Sequence, residues 1–213
     1  MNVAKFVDHT NLKPEATQND IKKLCKEAIE NGFYSVCVNP VNVALCKREL
    51  KDTDVKVAAV VGFPLGQNVP AIKAAEATVC VSDGADEVDM VLNIGALKEG
   101  RYNVVLEDIK GVVACGVPVK VIFETCKLTD EEIVKATEIS IEAGAAFIKT
   151  STGFLGEGAN ERVVALMVKI ANGRIKVKAS GGIRDIATAE KYIELGAERI
   201  GASALAKNKR KYY

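Results

Sequence analysis

Residues 119–150, VKVIFETCKLTDEEIVKATEISIEAGAAFIKT, decide how this chain folds. They open on a β-branched run, Val119–Glu124, and close on a second apolar run, Ala146–Thr150. Between them Asp130–Ala143 carries apolar residues at helical spacing, with Thr129 placed as an N-cap and Gly144 where the helix must stop. The stretch reads as strand, helix, strand, and two parallel strands need such a crossover.

The same unit recurs in both directions. Strands are predicted at Lys5–Asp8, Tyr34–Val38, Val55–Val61, Glu87–Leu92, Ile175–Ala179 and Arg199–Gly201 as well. Helices are predicted at Gln18–Asn31, Pro40–Leu50, Ala71–Asp83, Val104–Cys115, Glu161–Ala171 and Asp185–Leu195, with Asn160 as a further N-cap and Gly32, Gly173 and Gly196 as further stops. The repeat length is roughly 27 residues, close to the spacing of a fold that uses about 250 residues for eight βα units. The fold class is therefore α/β, a single-domain (β/α)8 TIM barrel over residues 1–213, ending in a short basic tail from about residue 207. A doubly wound open sheet is the alternative, but such sheets usually stop at fewer parallel strands.

Composition narrows the function. Basic and acidic residues nearly cancel, at a formal net charge of +1, so charge gives no case for a nucleic-acid or membrane partner. The first residues lack an apolar signal region, which predicts a cytoplasmic location. The six cysteines (Cys25, Cys37, Cys46, Cys80, Cys115 and Cys126) show no CxxC spacing and read as reduced thiols. His9 is the one histidine. That argues against a histidine-rich metal site, a metal-dependent aldolase and a Ser-His-Asp triad. No dinucleotide or nucleoside-triphosphate loop is present.

Polar residues collect at the predicted strand ends, which converge on one face of a barrel where active sites of this fold lie. Lys149 stands out. It closes an apolar strand and is followed by Thr150-Ser151-Thr152-Gly153. Desolvation lowers the pKa of such a lysine, and a neutral amine attacks carbonyls. Lys178 holds the matching place in Lys176-Val177-Lys178-Ala179-Ser180. A second ammonium there further depresses the first and can relay protons. Period-two alternation puts Asp89 on one face with Glu87, and Lys120 on one face with Glu124; if the apolar alternates meet the helices, these charges point inward. Asp89 is then either a proton-moving group or a counter-ion to Lys178. Asp8 either orients the lysines or caps the first strand. Ser180-Gly181-Gly182-Ile183-Arg184 and Gly201-Ala202-Ser203 follow strands seven and eight, the usual phosphate position in this fold. Cys37, at a strand end beside the site, is either a thiol open to reactive aldehydes or a small buried apolar residue.

These residues fall into motifs. Asp8-His9-Thr10-Asn11-Leu12, Ser35-Val36-Cys37-Val38-Asn39-Pro40, Gly62-Phe63-Pro64-Leu65-Gly66 and Gly84-Ala85-Asp86-Glu87-Val88-Asp89 come first. Val121–Thr125, Phe147–Gly153, Lys178–Arg184 and Gly201–Ser203 follow. In this order they resemble the deoxyribose-phosphate aldolases, a family of class I (Schiff-base) aldolases, from about Phe6 to Ala206. The resemblance implies Lys149 as the Schiff-base lysine, with Lys178 and Asp89 as the proton relay. It implies phosphate binding near Gly181, Gly182, Gly201 and Ser203, and substrate contacts near Asp8, Thr10, Thr152 and Gly153. Phe154 stands where some members carry a lysine, and Arg184 is placed to offset that lost charge. Tyr213 stands where some members carry a tyrosine proposed to reach back to the site; a frayed basic tail is the other reading. The implied partner is a small-molecule phosphosugar. The resemblance implies no metal and no organic cofactor, and the sequence leaves open a homodimer or larger homo-oligomer. Two rivals stand beside this reading: a Schiff-base aldolase with another aldehyde pair, and a non-catalytic phosphosugar-binding barrel.

Overall fold

Each strand buries one set of alternate side chains against helices and turns the other set inward, and the sheet closes on itself. The structure, a computed structural model, describes residues 1–207. Its strands are β1 (Val7–Asn11), β2 (Ser35–Val38), β3 (Lys56–Val61), β4 (Glu87–Val91), β5 (Val119–Ile122), β6 (Phe147–Lys149), β7 (Lys176–Ser180) and β8 (Arg199–Ala202). All neighbours pair in parallel, in chain order, and β8 returns to β1. The (β/α)8 barrel is thus the observed fold, and the open sheet is excluded.

The helices are α1 (Gln18–Asn31), α2 (Val43–Glu49), α3 (Pro70–Ser82), α4 (Ile94–Lys98), α5 (Tyr102–Val113), α6 (Asp130–Glu142), α7 (Glu161–Ala171) and α8 (Ile186–Glu194). Several of their starts are fixed by side chains that satisfy free backbone donors. Thr17 with Asp20, and Thr129 with Glu132, form reciprocal capping boxes. Asn160 and Asp185 cap α7 and α8.

The apolar core has two parts. The larger is a continuous shell between strands and helices, including Val88, Met90, Val121, Ile148, Val177 and Ile200. The smaller lies inside the barrel, where Leu12, Cys37, Ala58 and Val60 pack with Phe63. The inner face of β2 and β3 is therefore largely apolar, whereas that of β4 to β8 and β1 is ionic.

Several boundaries differ from the sequence reading. The first strand runs over Val7–Asn11 rather than Lys5–Asp8, because Val3–Phe6 form a 3-10 turn capped by Asn2 that buries Val3 and Ala4. The expected helix Pro40–Leu50 divides into a 3-10 turn, Pro40–Asn42, and α2. Helix α4 was not expected, and α5 starts earlier than Val104. β5 ends at Ile122, and Glu124 adopts a left-handed φ of 55° that turns the chain out of the sheet. β6 is trimmed by one residue at each end. The remaining elements agree to within one residue. The expected tail beyond residue 207, Tyr213 included, lies outside the described residues.

Candidate active site

Strand register builds the site. Asp89 lies opposite Lys120, Lys149 opposite Lys178, and Lys178 opposite Arg199. Asp8 lies opposite both Ser35 and Gly201. All of these face inward, as the alternation of Glu87, Asp89 and Lys120 predicts. Side chains from seven strands thereby meet in a space that water scarcely enters: Asp8, Asp89, Lys120 and Lys178 are wholly buried, and Lys149 is 4% exposed.

Asp89 is the centre. Its Oδ2 accepts hydrogen bonds from Lys149 Nζ at 2.9 Å and Lys178 Nζ at 2.7 Å. Its Oδ1 accepts one from Lys120 Nζ at 2.7 Å. Lys178 also donates to Asp8 Oδ2. The other oxygen of Asp8 accepts from Ser35 Oγ at 2.7 Å and Arg199 at 2.9 Å. Both Asp8 oxygens are thus engaged inside the barrel, one by Lys178 and the other by Ser35 and Arg199.

The environment divides the lysines into different kinds. For Lys149 burial pushes the pKa down, Asp89 partly restores it, and Lys178 depresses it further; the net direction is downward. For Lys178 burial acts in the same sense, but Asp8 and Asp89 outweigh it and raise the pKa. Lys120 is likewise raised, because Asp89, Asp8 and Glu87 overcome burial and the repulsion of Lys178. Burial alone would raise the Asp89 carboxyl, yet Lys120, Lys149 and Lys178 hold it well below the usual carboxylate range. Two ammonium groups and a carboxylate therefore surround one amine that gives up its proton more readily than an ordinary lysine.

The loops close over this cluster. Thr152 donates from its hydroxyl and backbone N–H to buried Glu124. Lys149 pairs with Asp89, and among the described residues Glu124 forms no ion pair. Thr10 Oγ1 donates to the Asp8 carbonyl at 2.9 Å. Gly153 lies beside Gly181, whose Cα is 3.6 Å from where a Cβ on Gly153 would stand. A Cβ on Gly158 would stand 2.1 Å from the Gly181 carbonyl oxygen, so only glycine lets these two loops touch. Ala159 N–H donates to the Ser180 and Gly181 carbonyls, fixing the crossing. Gly201 has a related role: a Cβ there would stand 3.2 Å from Lys178 Cε and 2.8 Å from Ser180 Cβ. Gly182, Arg184 and Ser203 are exposed at the mouth. Phe154 is also exposed and meets Phe63 edge-on, with ring centroids 5.2 Å apart. Cys37 is wholly buried, and burial together with Asp89 raises its pKa, so its thiol stays protonated.

The sequence reading brought Lys149, Lys178, Asp89 and Asp8 together, and they do meet. It did not assign Lys120, Glu87, Ser35 or Arg199 to the site. The signal for the first two was present in the alternation of β4 and β5. Arg199 could have been found from Gly201, because residues two apart share a face.

Comparison with known proteins agrees with this geometry. Residues 2–208 match the model of the DeoC/LacD family aldolases. A deoxyribose-phosphate aldolase of Clostridium tetani is 58% identical over 207 residues, covering 96% of each chain. The solved structure of QR15, an aldolase, superposes with a TM-score of 0.92 at 47% identity, covering 96% of this chain and 94% of that one. The deoxyribose phosphate aldolase of Aeropyrum pernix, described as having a unique tetrameric structure, superposes with a TM-score of 0.89 at 33% identity, covering 95% and 87%. Barrel, lysine cluster and near-complete coverage coincide, and this chain belongs to the DeoC/LacD aldolase family.

Proposed function

We propose that the protein reversibly cleaves 2-deoxy-D-ribose 5-phosphate to D-glyceraldehyde 3-phosphate and acetaldehyde through a Schiff base on Lys149. The observation that carries this reading is the sharing of Asp89 Oδ2 by two lysines whose pKa values are pushed in opposite directions. Pairs of titratable groups driven apart by their surroundings mark divided acid and base roles.

Neutral Lys149 attacks C1 of the open-chain aldehyde to give a carbinolamine. Lys178, held as an ammonium, gives a proton to the carbinolamine hydroxyl, which leaves as water, and an iminium forms. The Lys178 amine so produced then accepts the C3 hydroxyl proton through a water, with Asp89 holding both in place. The C2–C3 bond breaks and its electrons pass into the iminium, giving an enamine and glyceraldehyde 3-phosphate. Lys178 returns the proton to C2. Water then hydrolyses the new iminium, the proton it frees passes to Lys178, and acetaldehyde leaves neutral Lys149 behind. The protein amine supplies the electron sink, so this route calls for no cofactor.

Asp8 orients Lys178. Backbone N–H groups at Gly181, Gly182, Gly201 and Ser203, with Arg184 nearby, are the proposed phosphate cradle; glycines at such a turn leave the backbone open to an anion. Thr10, Thr152 and Gly153 are the proposed contacts to the sugar. A homo-oligomer and a cytoplasmic location complete the reading, the first supported by the tetrameric Aeropyrum pernix relative. Sedimentation would test it, a monomer at working concentration counting against assembly.

The test of function is a substrate panel. Deoxyribose 5-phosphate should be cleaved to stoichiometric glyceraldehyde 3-phosphate and acetaldehyde, and K149R should not cleave it. Binding of deoxyribose phosphate without turnover by the unaltered protein would favour a phosphosugar-binding barrel instead.

A further inference from the structure

Beneath the lysines lies a second ionic layer that the reaction does not touch. Arg199 Nη1 donates to Glu87 Oε2 at 2.8 Å and to Asp8 Oδ1 at 2.9 Å, and its Nη2 donates to Glu87 Oε1 at 3.2 Å. The guanidinium stacks 3.6 Å from the centre of the Tyr34 ring, closing the floor of the barrel. Glu87 Oε2 also pairs with Lys120 Nζ at 2.7 Å, which is the lysine bonded to Asp89. Two chains of contact thus run from Arg199 to the catalytic carboxylate, one through Glu87 and Lys120, the other through Asp8 and Lys178.

Counting charges gives this layer a purpose. The carboxylates are Asp8, Glu87 and Asp89; their cationic partners below and beside Lys149 are Arg199, Lys120 and Lys178. With Lys149 neutral the cluster balances, and with Lys149 protonated it carries one surplus positive charge in a space closed to water. We propose that Arg199 and Glu87 are positioning residues that set this balance, keeping Lys149 as the unmatched cation of the cluster and hence a ready nucleophile. This inference rests on the Schiff-base reading above.

The groups that face Lys149 are Asp89 from β4, Lys178 from β7 and the Cys37 thiol from β2, with Lys120 of β5 behind Asp89. Arg199 and Glu87 reach Asp89, Lys149 and Lys178 only through Lys120 and Asp8, so a floor substitution alters charge one contact removed from the reacting groups. Removing the Arg199 charge leaves the cluster negative around a neutral Lys149. That favours the protonated amine and moves the pH at which Lys149 becomes reactive upward. Removing the Glu87 charge does the reverse. At an effective dielectric of about 20, one charge a few contacts away moves such a pKa by about one unit.

The experiment measures the rate at which acetaldehyde forms a borohydride-trappable adduct on Lys149, from pH 5 to pH 10.5. It is run on the unaltered protein, on R199M, on E87Q and on the double variant. The expected result is an alkaline shift of about one pH unit for R199M, an acid shift of similar size for E87Q, and a near-native profile for the double variant. Lost packing alone would slow all variants without moving their profiles in opposite directions. Should R199M fail to fold, the acid shift of E87Q and its cancellation in the double variant carry the test. If the unaltered protein traps on Lys149 but E87Q shows no acid shift, this inference is overturned while the aldolase reading stands. If the unaltered protein does not trap on Lys149 at all, the aldolase reading itself falls.

Discussion

Two buried lysines in this barrel each pair with a buried aspartate and have quite different chemistry. Lys73 on α3 is wholly buried, pairs with Asp108 of α5 at 2.6 Å, and donates to the Val91 carbonyl at 2.9 Å. Its stem lies 3.0 to 3.2 Å from where a Cβ on Gly62 would stand, so that glycine makes room for it. Lys149 is buried as well and also touches an aspartate, but it shares that aspartate with Lys120 and Lys178. Lys73 has a carboxylate to itself and is sealed between α3, α5 and the ends of β3 and β4, with none of its surface exposed. Lys149 competes for its carboxylate at the end of a strand and keeps 4% of its surface exposed. Burial is common to both; what separates a structural lysine from a nucleophile here is the ratio of cations to anions and access for a carbonyl.

The largest effect that would sharpen this contrast comes from Lys149 itself. K149R keeps the charge but loses the amine nucleophile, and kcat should fall by about 10⁴-fold or more. Retention of more than a hundredth of kcat would break the comparison. K178M should cost about 10²- to 10⁴-fold in kcat, the range of a lost acid–base group. It should also move the Lys149 reactivity profile to higher pH, because a repelling cation has gone. A profile that stays in place would mean that Lys178 does not act on Lys149.

K73M should do the opposite. Leaving Asp108 buried without its partner should cost about 3–5 kcal/mol of stability in urea unfolding. The kcat of the folded enzyme should stay within about threefold, because no reacting group changes. A loss of kcat like that of K178M would show that Lys73 belongs to the site.

The smallest effect concerns the two aspartates. Burial raises Asp108, with Lys73 only partly opposing it, whereas the lysines hold Asp89 low. A carboxyl raised on folding binds its proton more tightly in the native state, so stability falls as pH rises from about 4 through the folded value. Asp89 has the other sign: its contribution is present above about pH 4 and is lost as pH falls below it. D108N should therefore remove a small decline in urea midpoint above pH 4, and D89N should remove part of the acid loss below it. The same slope in D108N and in the unaltered protein would contradict the first assignment.

Much of this was legible in the sequence. The repeat of strand and helix fixes eight units, and Lys149 is visible because an apolar strand ends in a charged residue. Asp89 and Lys178 are visible instead as charges in the alternation of β4 and β7. Arg199 is less so, because a charge at the first residue of a strand ordinarily faces solvent; here Tyr34 and Glu87 receive it inside the barrel floor. Lys73 reads as one of several polar residues on α3, beside Glu76, Thr78 and Ser82, and only the packing of α3 on α5 reveals Asp108 opposite it. The early end of β5 depends on the left-handed backbone of Glu124, a conformation its residue type does not signal. The crossing of Gly158 over Gly181 is a contact between two loops, and no local pattern encodes it.

The most direct measurement is acetaldehyde with borohydride, followed by intact mass and peptide mapping. The account predicts one reduced ethyl adduct, on Lys149, with Lys178 and Lys73 unlabelled. An adduct on Lys178 in place of Lys149 would contradict the division of roles, and labelling of Lys149 no greater than that of exposed lysines would contradict the nucleophile itself.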